Sequence, residues 1–125
     1  MPGPFPYQRG FGSTPAPICD ITVSWEGRTL TVPALIDSGA SGTVIPDSLV
    51  TPLSLRKIRE IPVTGVEGRR ELRSMYVVDI GFLGFQFPSH PVIGIPRRTF
   101  ALIGRDILNR HTATLRGRTL EFSVE

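Results

Sequence analysis

The residues best equipped for chemistry in this chain are Asp37, Ser38 and Gly39. They lie in the run Ala34-Leu35-Ile36-Asp37-Ser38-Gly39-Ala40-Ser41-Gly42-Thr43-Val44-Ile45. There an apolar stretch delivers one acidic residue to a Ser-Gly turn, and a second apolar stretch follows. A carboxylate set straight after a buried strand, with no Lys or His beside it, is costly unless it is paired. Such a group can instead work as a general base that activates water, or as a general acid that protonates a leaving group. The plain alternative is an acidic turn residue that caps its own loop. A second segment of the same character is Ala101-Leu102-Ile103-Gly104-Arg105-Asp106-Ile107-Leu108, an apolar strand that meets a Gly and turns into a short helix.

Other chemistries fit less well. Nothing in the sequence has the form of a nucleophile elbow, so a Ser-His-Asp hydrolase site is disfavoured. Two separated histidines, His90 and His111, and one cysteine do not make a zinc ligand set, and no metal or organic cofactor is expected. His111, just past the short helix, is read as a cap or a core-edge residue, and His90 as an exposed loop residue. Asp106 reads as a first-turn residue favoured by the helix dipole. Gly81-Phe82-Leu83-Gly84 lacks a following helix and implies no nucleotide. Cys19 precludes an internal disulfide and fits a reducing compartment.

The elements that must position Asp37 are strands. Residues 1–17 are rich in Pro and Gly without a period and predict a flexible arm, although Phe5, Tyr7 and Phe11 are aromatic and could dock. From Ile18 to Trp25 apolar and polar residues alternate, and Glu26-Gly27 predicts a hairpin turn into a strand over residues 28–36. Pro33 removes one ladder donor there, which predicts a bend or an edge. Thr43-Val44-Ile45 is a short buried strand, and residues 46–50 allow one helical turn. Residues 58–80 read as a long hairpin with its tip at Gly65-Val66-Glu67-Gly68. Residues 81–87 read as strand and turn, and 91–95 as a further strand. Then come a strand over 100–103, a helix over about 105–110, and strands over 111–115 and 118–124 turning at Arg116-Gly117. Many short strands punctuated by Gly and Pro predict an all-β domain.

Bulk properties narrow the options. At 125 residues there is room for one domain with a real core, here 18–125 behind the arm 1–17. The net charge of +3 comes from scattered residues, nearly all Arg, with no basic run, recognition helix or stacking pattern. A solvated Arg-rich surface is therefore expected, without a nucleic-acid partner. No apolar run approaches the roughly 18 residues of a membrane span, and the N-terminus lacks a signal-peptide layout. A cytoplasmic protein, or a soluble domain of a larger one, is the expectation.

The two segments together resemble the aspartic proteases, and especially the retropepsin-like, retroviral-type members. Asp37-Ser38-Gly39-Ala40 is similar to their Asp-Thr/Ser-Gly-Ala loop, and Leu102-Ile103-Gly104-Arg105-Asp106 to their second motif. The C-terminal residues Arg110-His111 and Leu120-Glu121-Phe122 resemble the end of the domain in DNA-damage-inducible, gag-type and bacterial single-domain members. The resemblance covers about residues 18–124 and implies a closed β-barrel-like domain with a flap hairpin and one short C-terminal helix. It implies catalysis by Asp37, with Ser38 bracing the loops and Gly39 letting the backbone pass close. Ala40 and the hairpin tip Gly65, Val66, Glu67 and Gly68 would meet the substrate, and Ile103, Gly104, Arg105 and Asp106 would support the loop. Because Asp-Ser-Gly occurs once, the second carboxylate would come from a symmetric copy of the chain, a homodimer. Peptides or proteins would be the substrates. The chain departs from viral members at Ser41, where they often carry an acid that pairs with the Arg of the second motif. Arg105 must then find another partner: Asp106, Asp47 or a residue across the dimer. A non-catalytic dimerisation or peptide-binding module of the same fold is the alternative.

Overall fold

The computed structural model describes residues 3–10, 12, 14–65 and 67–125. The described residues form ten strands and one short α-helix: β1 (Phe5–Pro6), β2 (Ile18–Trp25), β3 (Arg28–Ile36), β4 (Val44–Pro46), β5 (Arg59–Thr64), β6 (Arg70–Phe82), β7 (Phe85–Ile95), β8 (Ala101–Ile103), α1 (Arg105–Leu108), β9 (Ala113–Arg116) and β10 (Glu121–Val124). Seven strands order as β2-β3-β8-β4-β7-β6-β5, and β2 also pairs with β6. That extra pairing closes six strands into a barrel and leaves β5 outside as the free arm of the β5–β6 hairpin. The all-β, barrel-like architecture expected of the sequence is the one found. The barrel is filled from alternate positions of its strands, among them Ile21, Val23, Ala34, Ile80, Phe82 and Ile103, each 1% exposed or less.

Pro33 shows how the barrel accommodates a residue that cannot donate. The strand it sits in is not an edge, because β3 lies between β2 and β8. The β8 pairing begins only at Ala34↔Ala101, however, so Pro33 faces its single partner Asp20 where the other side of β3 is still open. The strand pair β6–β7 is longer than expected. β7 runs unbroken from Phe85 to Ile95 through two prolines, with a bulge where Asp79 opposes Pro88 and Ser89. Pro88 has no N–H to offer a ladder, and the Ser89 N–H goes to the Asp79 side chain at 2.8 Å.

A second, three-stranded sheet, β1-β10-β9, packs at one end. Its β9–β10 turn comprises residues 117–120 rather than Arg116-Gly117, because Glu121 pairs with Arg116. Part of the arm expected to be flexible is docked here. Phe5 pairs with Phe122, and the Phe5 and Tyr7 rings lie 5.5 and 6.2 Å from the Phe122 ring. Gln8 and Ala16 exchange two backbone hydrogen bonds of 2.9 Å, which closes the segment between them. Phe5 and Tyr7, two apart in an extended chain, share one face, and Phe122 is the surface they cover. Phe11 lies outside the described residues.

Candidate active site

The Asp37 loop exists because of the strand order. β3 and β8 run parallel and in register, Ala34↔Ala101 to Ile36↔Ile103, and β4 lies on the far side of β8. The chain leaving β3 must therefore cross the end of β8 to enter β4, and residues 37–43 make that crossing. They pass over Gly104. A Cβ on Gly104 would lie 2.6 Å from the carbonyl carbon and oxygen of Gly42 and 3.0 Å from the Ala40 oxygen. Only a residue without a side chain lets the two backbones meet.

The crossing is tied down by main-chain bonds. Asp37 N–H donates to the Ile103 carbonyl at 3.0 Å, and Arg105 N–H donates to the Ala40 carbonyl at 2.8 Å. The Arg105 guanidinium Nη1 donates to the Ser38 carbonyl at 2.8 Å. Arg105 thus uses none of the acidic partners expected in place of the missing acid at Ser41; its acceptor is a main-chain oxygen. Within the loop, Gly39 N–H donates to Asp37 Oδ1 at 2.8 Å, and Ala40 N–H closes the turn onto the Asp37 carbonyl at 3.2 Å.

Beneath the loop lies a buried polar cluster. Thr43, 1% exposed, donates its hydroxyl to Asp106 Oδ1 at 2.8 Å and its N–H to Asp106 Oδ2 at 3.0 Å. The same hydroxyl accepts the Gly104 N–H at 3.2 Å. His90 Nε2 lies 2.7 Å from Asp106 Oδ2. Burial acts to raise the Asp106 pKa, but the hydrogen bonds from His90 and Thr43 outweigh it and hold the carboxyl below its ordinary value. An ionised carboxylate only accepts, so His90 Nε2 carries the proton. Asp106 is therefore more than a first-turn residue suited to the helix dipole: it joins α1, the end of the loop and β7. His90 is 8% exposed, contrary to the exposed loop residue expected of Ser89-His90-Pro91. The bulge at Pro88-Ser89 puts two successive exposed residues before it and so turns His90 inward. His111 takes a core-edge position, its ring centroid 4.4 Å from that of Phe85 and 5.7 Å from that of Phe87.

Asp37 is half-exposed and opens onto a cleft of about 530 Å³. Of the residues singled out in the sequence, Asp37, Gly39, Ala40, Gly65 and Glu67 line that cleft together. Ser38 is exposed and contributes its carbonyl to Arg105. Gly68, at φ +76°, donates to the Gly65 carbonyl and shapes the β5–β6 turn without lining the cleft. Val66 lies outside the described residues. Ile103, Gly104, Arg105 and Asp106 stand behind the loop as its anchors. Two residues of the site were not marked by the sequence. Thr43 has no signal there beyond its place at the start of an apolar strand. Arg98 lines the cleft near Asp37 and is one arginine among many.

Cys19 is buried, and burial first and the neighbouring Asp20 second push its thiol pKa up to about 12, so it is an inert core residue rather than a nucleophile. No helix of the described residues is long and apolar enough to cross a membrane.

Comparison with known proteins agrees with this geometry. A family model described as aspartyl protease matches residues 21–107, the span from β2 to α1 that builds and anchors the loop. A search of curated proteins finds none that matches. Among solved structures, a retropepsin-like aspartic protease from Rickettsia conorii superposes with a TM-score of 0.57 at 16% identity, covering 86% of this chain and 80% of that one. EIAV protease in complex with the inhibitor HBY-793 gives a TM-score of 0.54 at 24% identity, with 76% and 86% covered. A foamy viral protease–reverse transcriptase bound to an RNA/DNA hybrid gives 0.58 at 18% identity over 76% of this chain, which spans 12% of that longer one. At these identities the structures establish the retropepsin-like fold, and the family match assigns the sequence that builds it. The chain belongs to the aspartyl protease family and has its retropepsin-like form.

Proposed function

We propose that the protein is an aspartic endopeptidase that works as a homodimer, with Asp37 of each subunit facing its mate across a twofold axis. The observation that carries this reading is the half-exposed Asp37 carboxylate at the floor of a cleft, on a loop fixed by main-chain bonds to Ile103 and Arg105. Two carboxylates at short range cannot both ionise, so their pKa values split and the pair shares one proton. The ionised member takes a proton from water as the oxygen attacks the peptide carbonyl. The protonated member stabilises the developing oxygen and later protonates the leaving amine. No metal or cofactor enters these steps.

The substrate is an extended peptide laid as a strand across the cleft, with its backbone hydrogen-bonded and alternate side chains in pockets. The β5–β6 hairpin acts as the flap: Gly65, Glu67 and Arg69 near its tip line the cleft with Asp37, and closing it would exclude water. The replacement of the usual acid by Ser41 does not weaken this reading, since Arg105 braces the loop through the Ser38 carbonyl instead.

Asp37→Asn tests the proposal. The variant should keep the wild-type circular dichroism and the sedimentation of a dimer, and should lose cleavage of a diverse peptide library at every pH from acid to neutral. Cleavage retained in Asp37→Asn would reject the mechanism. A wild-type dimer that binds peptides and cuts none would favour a peptide-binding module.

A further inference from the structure

Arg98 carries a feature that the proposed cleavage does not use. It stands in the loop between β7 and β8, half-buried, and lines the cleft beside Ile95 and Leu102. Its guanidinium carbon lies 4.5 Å from the Phe100 ring centroid, so the ring holds the side chain in place. Its Nη1 is enclosed and makes no hydrogen bond among the described residues. Asp37 acts on Arg98 through space, yet the two form no ion pair.

The other cationic side chains of the cleft are differently placed. Arg69 and Arg73 lie on the hairpin with Glu67 and Glu71, and Arg73 is joined to Glu71. Charge on the hairpin side is therefore mixed. On the wall formed by the β7–β8 loop, Arg98 offers a half-buried cation that is held against Phe100 and joined to no carboxylate among the described residues. A guanidinium stays charged at any working pH and matches a carboxylate in a two-pronged geometry. A half-buried charge without a counterion is unfavourable, and a ligand carboxylate that meets the accessible part of the guanidinium recovers part of that loss.

We propose that Arg98 is a specificity-determining residue that receives an acidic side chain of the bound peptide, close to the bond over Asp37. The inference rests on the peptide cleft of the proposed function. The twofold axis of the proposed dimer brings one Arg98 to each half of the cleft, so the preference falls on a matched pair of positions, one on each side of the bond. An aliphatic or amide side chain at either position leaves the Arg98 charge without a counterion, and a lysine there meets like charge.

Binding of uncleavable peptides tests this independently of catalysis. Reduced-amide peptides carrying Glu, Gln or Lys at each position around the reduced bond are titrated against the wild-type protein by fluorescence anisotropy. At a matched position on each side of the reduced bond Glu should bind roughly tenfold tighter than Gln, the size of a single charge-assisted hydrogen bond, and Lys more weakly than Gln. Arg98→Met, which keeps an unbranched stem over Phe100, should bring the Glu-to-Gln ratio close to one. Arg98→Lys should retain part of it, and Arg98→Glu should reverse the order in favour of Lys. Melting curves of each variant check that the fold is intact. No position with a Glu preference, no peptide binding, or a preference that persists in Arg98→Met would overturn the proposal. Acid-selective binding without cleavage of the matching amide peptides would uphold Arg98 and reject the endopeptidase. Cleavage by an enzyme indifferent to Glu would do the opposite.

Discussion

Removal of one oxygen from Thr43 should loosen the whole loop. Thr43→Val keeps the shape of the side chain and deletes the hydroxyl that donates to Asp106 Oδ1 and accepts from Gly104 N–H. The site is closed, with Thr43 1% exposed, so water cannot take the place of the hydroxyl without rearrangement. Two terms follow. A hydrogen bond to a charged acceptor contributes about 1.5–3 kcal/mol, and a buried N–H left without its partner costs about 1–3 kcal/mol. Asp106 Oδ1 keeps its bond from Ile107 N–H at 3.0 Å, which places the first loss at the low end. The expected sum is about 2.5–4.5 kcal/mol. At about 2.1 cal/mol/K per residue, the unfolding entropy of 125 residues is about 0.26 kcal/mol/K, so each kcal/mol moves Tm by about 4 °C. Thr43→Val should therefore melt about 10–17 °C below wild type at equal protein concentration, which matters if a dimer unfolds. Thr43→Ser restores the hydroxyl and loses one methyl group, a change of about 1 kcal/mol, so it should melt within a few degrees of wild type. Urea unfolding should give the same ranking with an unchanged slope. If Thr43→Val matched wild type while Thr43→Ser fell well below it, packing rather than hydrogen bonding would hold the loop, and the reasoning would be wrong.

Two further outcomes follow from the same cluster. The Asp106 pKa is held below its unfolded value near 3.8, so its contribution to stability is complete above that pH and is lost as pH falls through the lower folded value. Asp106→Asn should therefore unfold more readily at neutral pH yet lose stability less steeply than wild type below about pH 4; denaturant midpoints measured against pH would check this, and parallel slopes would contradict it. Gly104→Ala has no conformational obstacle, since φ is −92°, but its Cβ would meet the Gly42 carbonyl at 2.6 Å. Backbone on both sides leaves little to yield, and overpacking of this kind costs about 1–3 kcal/mol; a calorimetric Tm equal to that of wild type would mean that the loop moves freely off α1.

The parts of the site that could be read from the sequence are those set by local pattern. Apolar runs on both sides of Asp37-Ser38-Gly39 fixed the loop between strands, and Gly104 after Ile103 marked the turn into the short helix, though not the close approach of the Gly42 backbone to it. Other features depend on contacts that leave no local trace. The acceptor of Arg105 is a backbone carbonyl, which any residue could supply, so no side chain in the sequence marks it. His90 is inside because a bulge shifts the alternation of β7 by one residue, and a Ser-His-Pro sequence reads as a loop unless that bulge is known. The direction of Arg98 depends on Phe100 and on the closure of the barrel. The N-terminal arm pairs with β10, at the opposite end of the chain, and composition alone carries no sign of that partner.

The distribution of charges behind the loop has a chemical consequence. A cation bonded directly to Asp37 would favour its ionised form and make a shared proton in a carboxylate pair harder to keep. The Arg105 guanidinium is bonded instead to the Ser38 carbonyl, where it fixes the backbone, and the Asp37 carboxylate accepts from the Gly39 amide. Asp106 could in turn have drawn Arg105 away from the loop, but its oxygens are occupied by Thr43, His90 and the Ile107 amide. The protonated His90 Nε2 and the Thr43 hydroxyl thus do more than stabilise the barrel. By satisfying the acid of the second motif, they leave its arginine to hold the loop of the first through the Ser38 carbonyl.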